Sequence, residues 1–241
     1  MIQEGHTTRA LRAGLRAVGV VTLASLLPVD AAAQAVDRPG PYVVDLHVAT
    51  GSLPQDPSFF PPVPAATPIP SFNLGFDVGA HVYLFNLGPA RIGLGGSLLR
   101  SGGAAAPATP AGTSSTTPPP RPTLPRVETR VRMFTPQLSF NFGTSSGWSY
   151  VSAGVGQIAV RTTTSEFATG SGSTAPVTPA RTRESPSLQT INVGGGARWF
   201  NTAHLAFSFD VRFYKAAGRT KNEVSTAPAT LITASAGISL R

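Results

Sequence analysis

Between His204 and Lys215 the chain keeps a strict two-residue rhythm. Leu205, Phe207, Phe209, Val211 and Phe213 take every second place, and Ala206, Ser208, Asp210, Arg212 and Tyr214 stand between them. A period of two is that of a β-strand with one apolar and one polar face. A row with three Phe in five places is too apolar to face water. Asp210 and Arg212 keep the opposite row from being a dry core. Such a strand suits a closed barrel in lipid, apolar side out and polar side in.

The pattern returns along the chain. Residues 42–51 set Val44, Leu46 and Val48 against Asp45 and His47, and residues 72–84 set Phe72, Leu74, Phe76 and Val78 against Asp77 and His81. Residues 90–99 oppose Ile92, Leu94 and Leu98 to Arg91 and three glycines or serines. A fourth strand ends in Leu138, Phe140 and Phe142, with a phase slip at 134–136. A bulge is expected there because Pro136 cannot donate to a ladder. The fifth, 148–161, slips near Gln157. Residues 188–199 and 231–241 supply the sixth and eighth, around the opening segment. Three connections are short (86–89, 143–147, 201–203) and four are long (53–71, 102–126, 162–186, 216–230). The expectation is an all-β fold: an eight-stranded antiparallel up-and-down transmembrane barrel with three short periplasmic turns and four long extracellular loops.

Composition agrees. Only 12% of residues are charged, against roughly 25% in soluble domains, while 25 Gly and 23 Pro favour strands and turns over helix. The absence of Cys excludes disulfides, thiolate metal sites, thiol nucleophiles and an N-terminal lipidated Cys. At the N-terminus, Arg9, Arg12 and Arg16 precede a short apolar run, residues 17–27, and a small-residue site ending at Ala35. This reads as a secretory signal peptide, residues 1–35, with the barrel domain at 36–241. The apolar run is shorter than the ~20 residues of a membrane-spanning helix.

Phe85, Phe142, Trp148, Trp199 and Phe200 flank the short turns and are expected to form an interfacial aromatic girdle. A secreted soluble carrier barrel would turn its apolar face inward and show Lys and Glu outside. Here the polar face is mainly Gly, Ser, Asn and Thr. Inside, the barrel would gather Asp45, His47, Asp77, His81, Arg91, Arg198, Asp210 and Arg212. Eight strands leave barely enough room for side chains, so these groups are expected to pair as a structural lumen network. A path for protons or small solutes is the other reading of the same residues.

Catalytic signals are weak. A hydrolase would need a Ser, a His and an acid together at the membrane edge, and neither Ser149 nor Ser208 is singled out by its neighbours. No cofactor is called for, and no His/Asp/Glu cluster has metal-ligand spacing. Arg121, Arg126, Arg181, Arg183, Arg219 and Lys221 make the loops basic, with Arg130 and Arg132 just below. They suit membrane lipids and the phosphates of lipopolysaccharide. Nucleic-acid binding is not expected, because no aromatics interleave with these cations. The segment 102–126 is of low complexity and offers no rigid binding loop.

The motifs Gly75-Phe-Asp-Val-Gly79, Gln137-Leu-Ser-Phe-Asn-Phe-Gly143, Gly147-Trp-Ser-Tyr150 and Asn192-Val-Gly-Gly-Gly-Ala-Arg-Trp199, with 205–214, carry a resemblance to the small outer-membrane barrels. These are the OmpA transmembrane domain, OmpX and OmpW families. The last strand departs from them, ending Ile238-Ser-Leu-Arg241 where they usually carry Phe or Trp. The resemblance implies export to the outer membrane of a Gram-negative-type bacterium, insertion by the barrel-assembly machinery, and a monomer. It implies a non-enzymatic structural or surface-interaction role with a closed or nearly closed lumen. The alternatives are a narrow porin-like pore and a lipid-modifying outer-membrane enzyme.

Overall fold

The seven connections are laid out around a closed wall. The computed structural model describes residues 39–107, 124–168, 176–221 and 224–241. The predicted signal peptide, Arg121 and much of the low-complexity segment lie outside the described residues. Eight long strands make the wall: β1 (Tyr42–Ser52), β2 (Phe72–Leu87), β3 (Ala90–Ala105), β4 (Val127–Thr144), β5 (Gly147–Thr164), β9 (Leu188–Phe200), β10 (Leu205–Ala216) and β13 (Ala229–Leu240). Each pairs antiparallel with its neighbours, β1 pairs with β13, and β4–β5 completes the ring, so no long strand keeps an open edge. The remaining elements belong to the long connections. They are the 3-10 turn η1 (Pro57–Phe59), the hairpins β6 (Phe167–Ala168)/β7 (Val177–Thr178) and β11 (Arg219–Lys221)/β12 (Val224–Thr226), and β8 (Arg181–Glu184), which pairs with β5.

The outer face is a belt of exposed apolar side chains. Leu46 and Val48 on β1, with half-buried Val44 beside them, continue into Phe76 and Val78 on β2, Leu94 and Leu98 on β3, and Phe134 and Leu138 on β4. Val151 and Val155, Ile191 and Val193, Phe207, Phe209 and Phe213, and Ile232 and Ile238 complete the circuit. Along a typical strand the belt covers about nine residues, roughly 30 Å at ~3.4 Å each. A strand tilt of about 40° brings its height to ~23 Å, close to the ~25 Å apolar band of outer-membrane barrels. A continuous apolar surface of this size needs lipid around it.

Two expected irregularities resolve differently. At Pro136 the strand does not bulge: Phe134 stands opposite Gln157 and Gln137 opposite Gly154, so the register holds across the proline. Pro136 simply faces outward. The slip at Gln157 is likewise chemical and not geometric. Odd residues of β5 stay outside and even residues inside, but the outward row changes from Val151 and Val155 to Gln157 and Arg161, while the inward row becomes Ile158 and Val160. The wall has left the lipid there, so its outside turns polar and its inside turns dry. The register shift that does occur lies between Tyr83 and Phe85, beside a short turn.

Candidate functional site: the filled lumen

The interior is filled in three tiers. At the long-loop end, Leu99, Val131, Met133, Ile158, Leu188 and Leu231 point inward with Phe59 and Phe60, which the first long connection folds over the mouth. The lid is tied at Ser58. Arg183 Nε donates to the Ser58 carbonyl oxygen at 2.6 Å, and the Ala227 amide donates to Ser58 Oγ at 2.9 Å. Arg183 Nη2 also donates to the Ser225 carbonyl at 3.1 Å, so residues from three long connections meet there. The Ser58 amide donates to Asp56 Oδ1 at 2.9 Å, and hydrogen bonding from Ser58 holds the Asp56 carboxyl below its ordinary range.

The middle tier is polar. Arg198 grips Asp45 with two parallel bonds, Nε to Oδ1 at 2.9 Å and Nη2 to Oδ2 at 2.6 Å. Arg212 holds Asp210 the same way, at 3.1 and 2.8 Å. Arg212 also donates to Asn192 Oδ1 at 2.9 Å and to Gln137 Oε1. Tyr150 joins the two pairs: its ring lies 4.1 Å from the Arg198 guanidinium and its hydroxyl donates to Asp210 Oδ2 at 2.7 Å. A serine chain continues the network, with Ser239 bonding Asp45 Oδ1 and Ser208, and Ser208 lying 2.7 Å from His47 Nε2. Bidentate geometry and added hydrogen bonds are what make buried ion pairs tolerable.

The predicted lumen residues are therefore only partly brought together. Asp45, His47, Arg198, Asp210 and Arg212 form one connected network. His81 is buried beside it, Nδ1 3.9 Å from Asp45 Oδ2, yet neither ring nitrogen makes a hydrogen bond. Asp77 lines the same remaining space, about 10 Å³, and its Oδ1 also lacks a partner. That is room for about one water. Arg91 departs from the expectation. It lies at the short-turn end, donating to the Pro39 carbonyl and, at 3.3 Å, to the Gly40 carbonyl, with its guanidinium 5.8 Å from the Tyr83 ring centre. Its neighbours are the residues that enter β1 and not a carboxylate.

The third tier corrects the aromatic girdle. Trp199 is 50% exposed on the outer face, stacked on Phe207 and Phe209, and Phe85 and Phe142 also face out. Trp148 is 2% exposed and points inward, edge-on to Tyr83 and stacked on Phe200 at 4.8 Å. Together with Val43 these rings fill the short-turn mouth. Strand alternation decides it: Trp148 shares parity with Tyr150 and Ser152, which face in. Proximity to a turn says nothing about the side of the wall. The network also takes in Tyr150, Gln137, Asn192, Ser208 and Ser239, uncharged residues that a search for charges passes over. Their parity against Val151, Leu138, Val193, Phe207 and Ile238 is the signal that places each inside.

Two glycines make the room. A Cβ on Gly196 would come within 2.8 Å of the Tyr150 hydroxyl and strike the Phe209 carbonyl oxygen; one on Gly95 would press the His81 ring. Among the described residues no group of three or more His, Asp or Glu is placed to hold a metal ion. The Ser208–His47 contact resembles the start of a catalytic relay, but His47 Nδ1 meets Ser235 Oγ at 3.2 Å and not a carboxylate. Ser149 faces outward.

No protein-family model matches the chain, and no curated protein matches it in sequence. Solved structures align along most of its length. Neisserial surface protein A matches at 10% identity and a TM-score of 0.44, over 83% of this chain and 97% of that one. Ail, the attachment invasion locus protein of Yersinia pestis, gives 10% and 0.41, over 83% and 95%. The outer membrane protein OprG of Pseudomonas aeruginosa gives 8% and 0.41, over 85% and 97%. Similarities of this size carry no inference about what this chain binds or does.

Proposed function

We propose that this chain is an integral protein of a bacterial outer membrane whose barrel is sealed and whose role is structural or one of surface interaction. One observation carries the reading: an apolar belt surrounds a lumen filled by an apolar lid, a bidentate ion-pair layer and an aromatic plug. A lumen built to conduct would keep a wetted path through the middle, whereas the space beside Asp77 and His81 is the size of one water. The Ser208–His47 pair lies inside this fill, away from lipid substrates, which favours a non-enzymatic role.

The test uses one preparation. Purified protein in detergent should run at different positions on a gel before and after boiling, and should add no discrete conductance steps to a planar bilayer. Solubility without detergent together with unchanged migration would refute the membrane barrel. Stepwise conductance would refute the seal and favour a narrow pore instead.

A further inference from the structure

We propose that four arginines on the outer wall, Arg100, Arg130, Arg132 and Arg161, form a binding surface for the phosphorylated headgroup of an outer-leaflet glycolipid of the lipid A type. The proposal rests on the membrane reading above and names a partner for the barrel's lipid-facing side. In the β3–β4 ladder Arg100 stands directly opposite Arg132, and in the β4–β5 ladder Arg130 stands directly opposite Arg161. All four are exposed on the outward parity. Like charges directly opposed across strands destabilise a sheet, and here two such pairs are adjacent on one face.

None of the four belongs to an ion pair among the described residues. Glu184, across from Arg161 on β8, sets one negative charge against four positive ones. One carboxylate against four guanidinium groups leaves the patch with an excess of positive charge. Height in the membrane says where a balancing anion would come from. Phe134 and Leu98 are the next outward residues below Arg132 and Arg100, so on β3 and β4 the cations begin where the outward apolar row stops, while exposed Phe76 on β2 stands opposite Arg100. A groove of about 980 Å³ opens on the belt at this level, lined by Phe134, Pro136, Val155 and Ile191 with Gln157 and Lys215 at its rim. Apolar groove below and guanidinium cluster above match a lipid with acyl chains and phosphates.

Three of the loop cations are engaged by the protein itself. Arg183 is held by Ser58 and Ser225, Arg219 donates to the Ser187 carbonyl at 2.9 Å, and Arg126 pairs with Glu128 at 3.2 Å.

The experiment measures binding of bisphosphorylated lipid A, of its phosphate-free form and of inorganic phosphate to the refolded full chain in neutral detergent. Wild type should bind the bisphosphorylated lipid at least about tenfold more tightly than the phosphate-free one. Combined Arg100→Gln, Arg130→Gln, Arg132→Gln and Arg161→Gln should remove that preference, and the four corresponding Arg→Lys changes should keep most of it. Equal binding of the two lipids by wild type would overturn the proposal even if the Gln variant failed to fold. Unaltered preference in a folded Gln variant would also overturn it, as would inorganic phosphate binding as tightly as the lipid. A boiling-dependent gel shift in the same sample separates the outcomes: shift without lipid preference defeats this inference alone, and no shift defeats the barrel reading beneath it.

Discussion

At the scale of single residues the decisive interaction is Arg198 with Asp45. Both are buried, and Arg198 is among the largest fully buried side chains of the protein. Removing one partner strands the other's charge, which typically costs about 3–5 kcal/mol, whereas replacing both by apolar residues is often neutral. Arg198→Met alone should therefore lower unfolding stability in detergent by about that amount, and Asp45→Leu with Arg198→Met should recover most of it. Equal losses in the single and double variants, read from urea unfolding curves, would show that the Asp45 charge is not the source of the cost. The inward roster is legible in the sequence wherever parity is unambiguous, as for Asp210 and Arg212. It fails for Arg91, because pairing depends on height along the barrel axis, and alternation reports only the side of the wall. It fails for Trp148 where nearness to a turn is allowed to outweigh a parity readable from Val151 onward.

Elements show the same division between side and height. Eight strands and their short and long connections follow from period-two patterning and turn residues. The ends do not: β4 and β5 run to Val127 and Thr164, beyond the apolar rows that mark a strand in sequence. Above the lipid the pattern inverts, so Ile158 and Val160 look out of phase although the backbone never slips. The small hairpins β6–β7 and β11–β12 are too short to leave any period. Within the wall, close approach of strands governs what a position accepts. Gly196→Ala should displace Tyr150 from Asp210 and destabilise the barrel by roughly 1–3 kcal/mol, as overpacking does. A denaturation midpoint equal to wild type would mean that both Tyr150 and the Phe209 carbonyl have room to give.

For the whole molecule, closure in three tiers means that no single tier sets permeability. Phe59→Ala with Phe60→Ala removes the bulk of the outer lid, yet the Arg198–Asp45 and Arg212–Asp210 layer and the Trp148–Phe200 stack remain below it. Planar bilayers containing this double variant should stay silent. Conductance steps in it would place the only barrier at the outer mouth.

The tie at Ser58 has one more consequence. A single serine engages Arg183 from the third long connection and Ala227 from the fourth while sitting in the first. The exterior end is therefore a composite epitope drawn from distant stretches of chain. An antibody raised against the intact fold would read that composite, whereas one raised against a peptide containing Ser58 would meet a segment already bound to its neighbours.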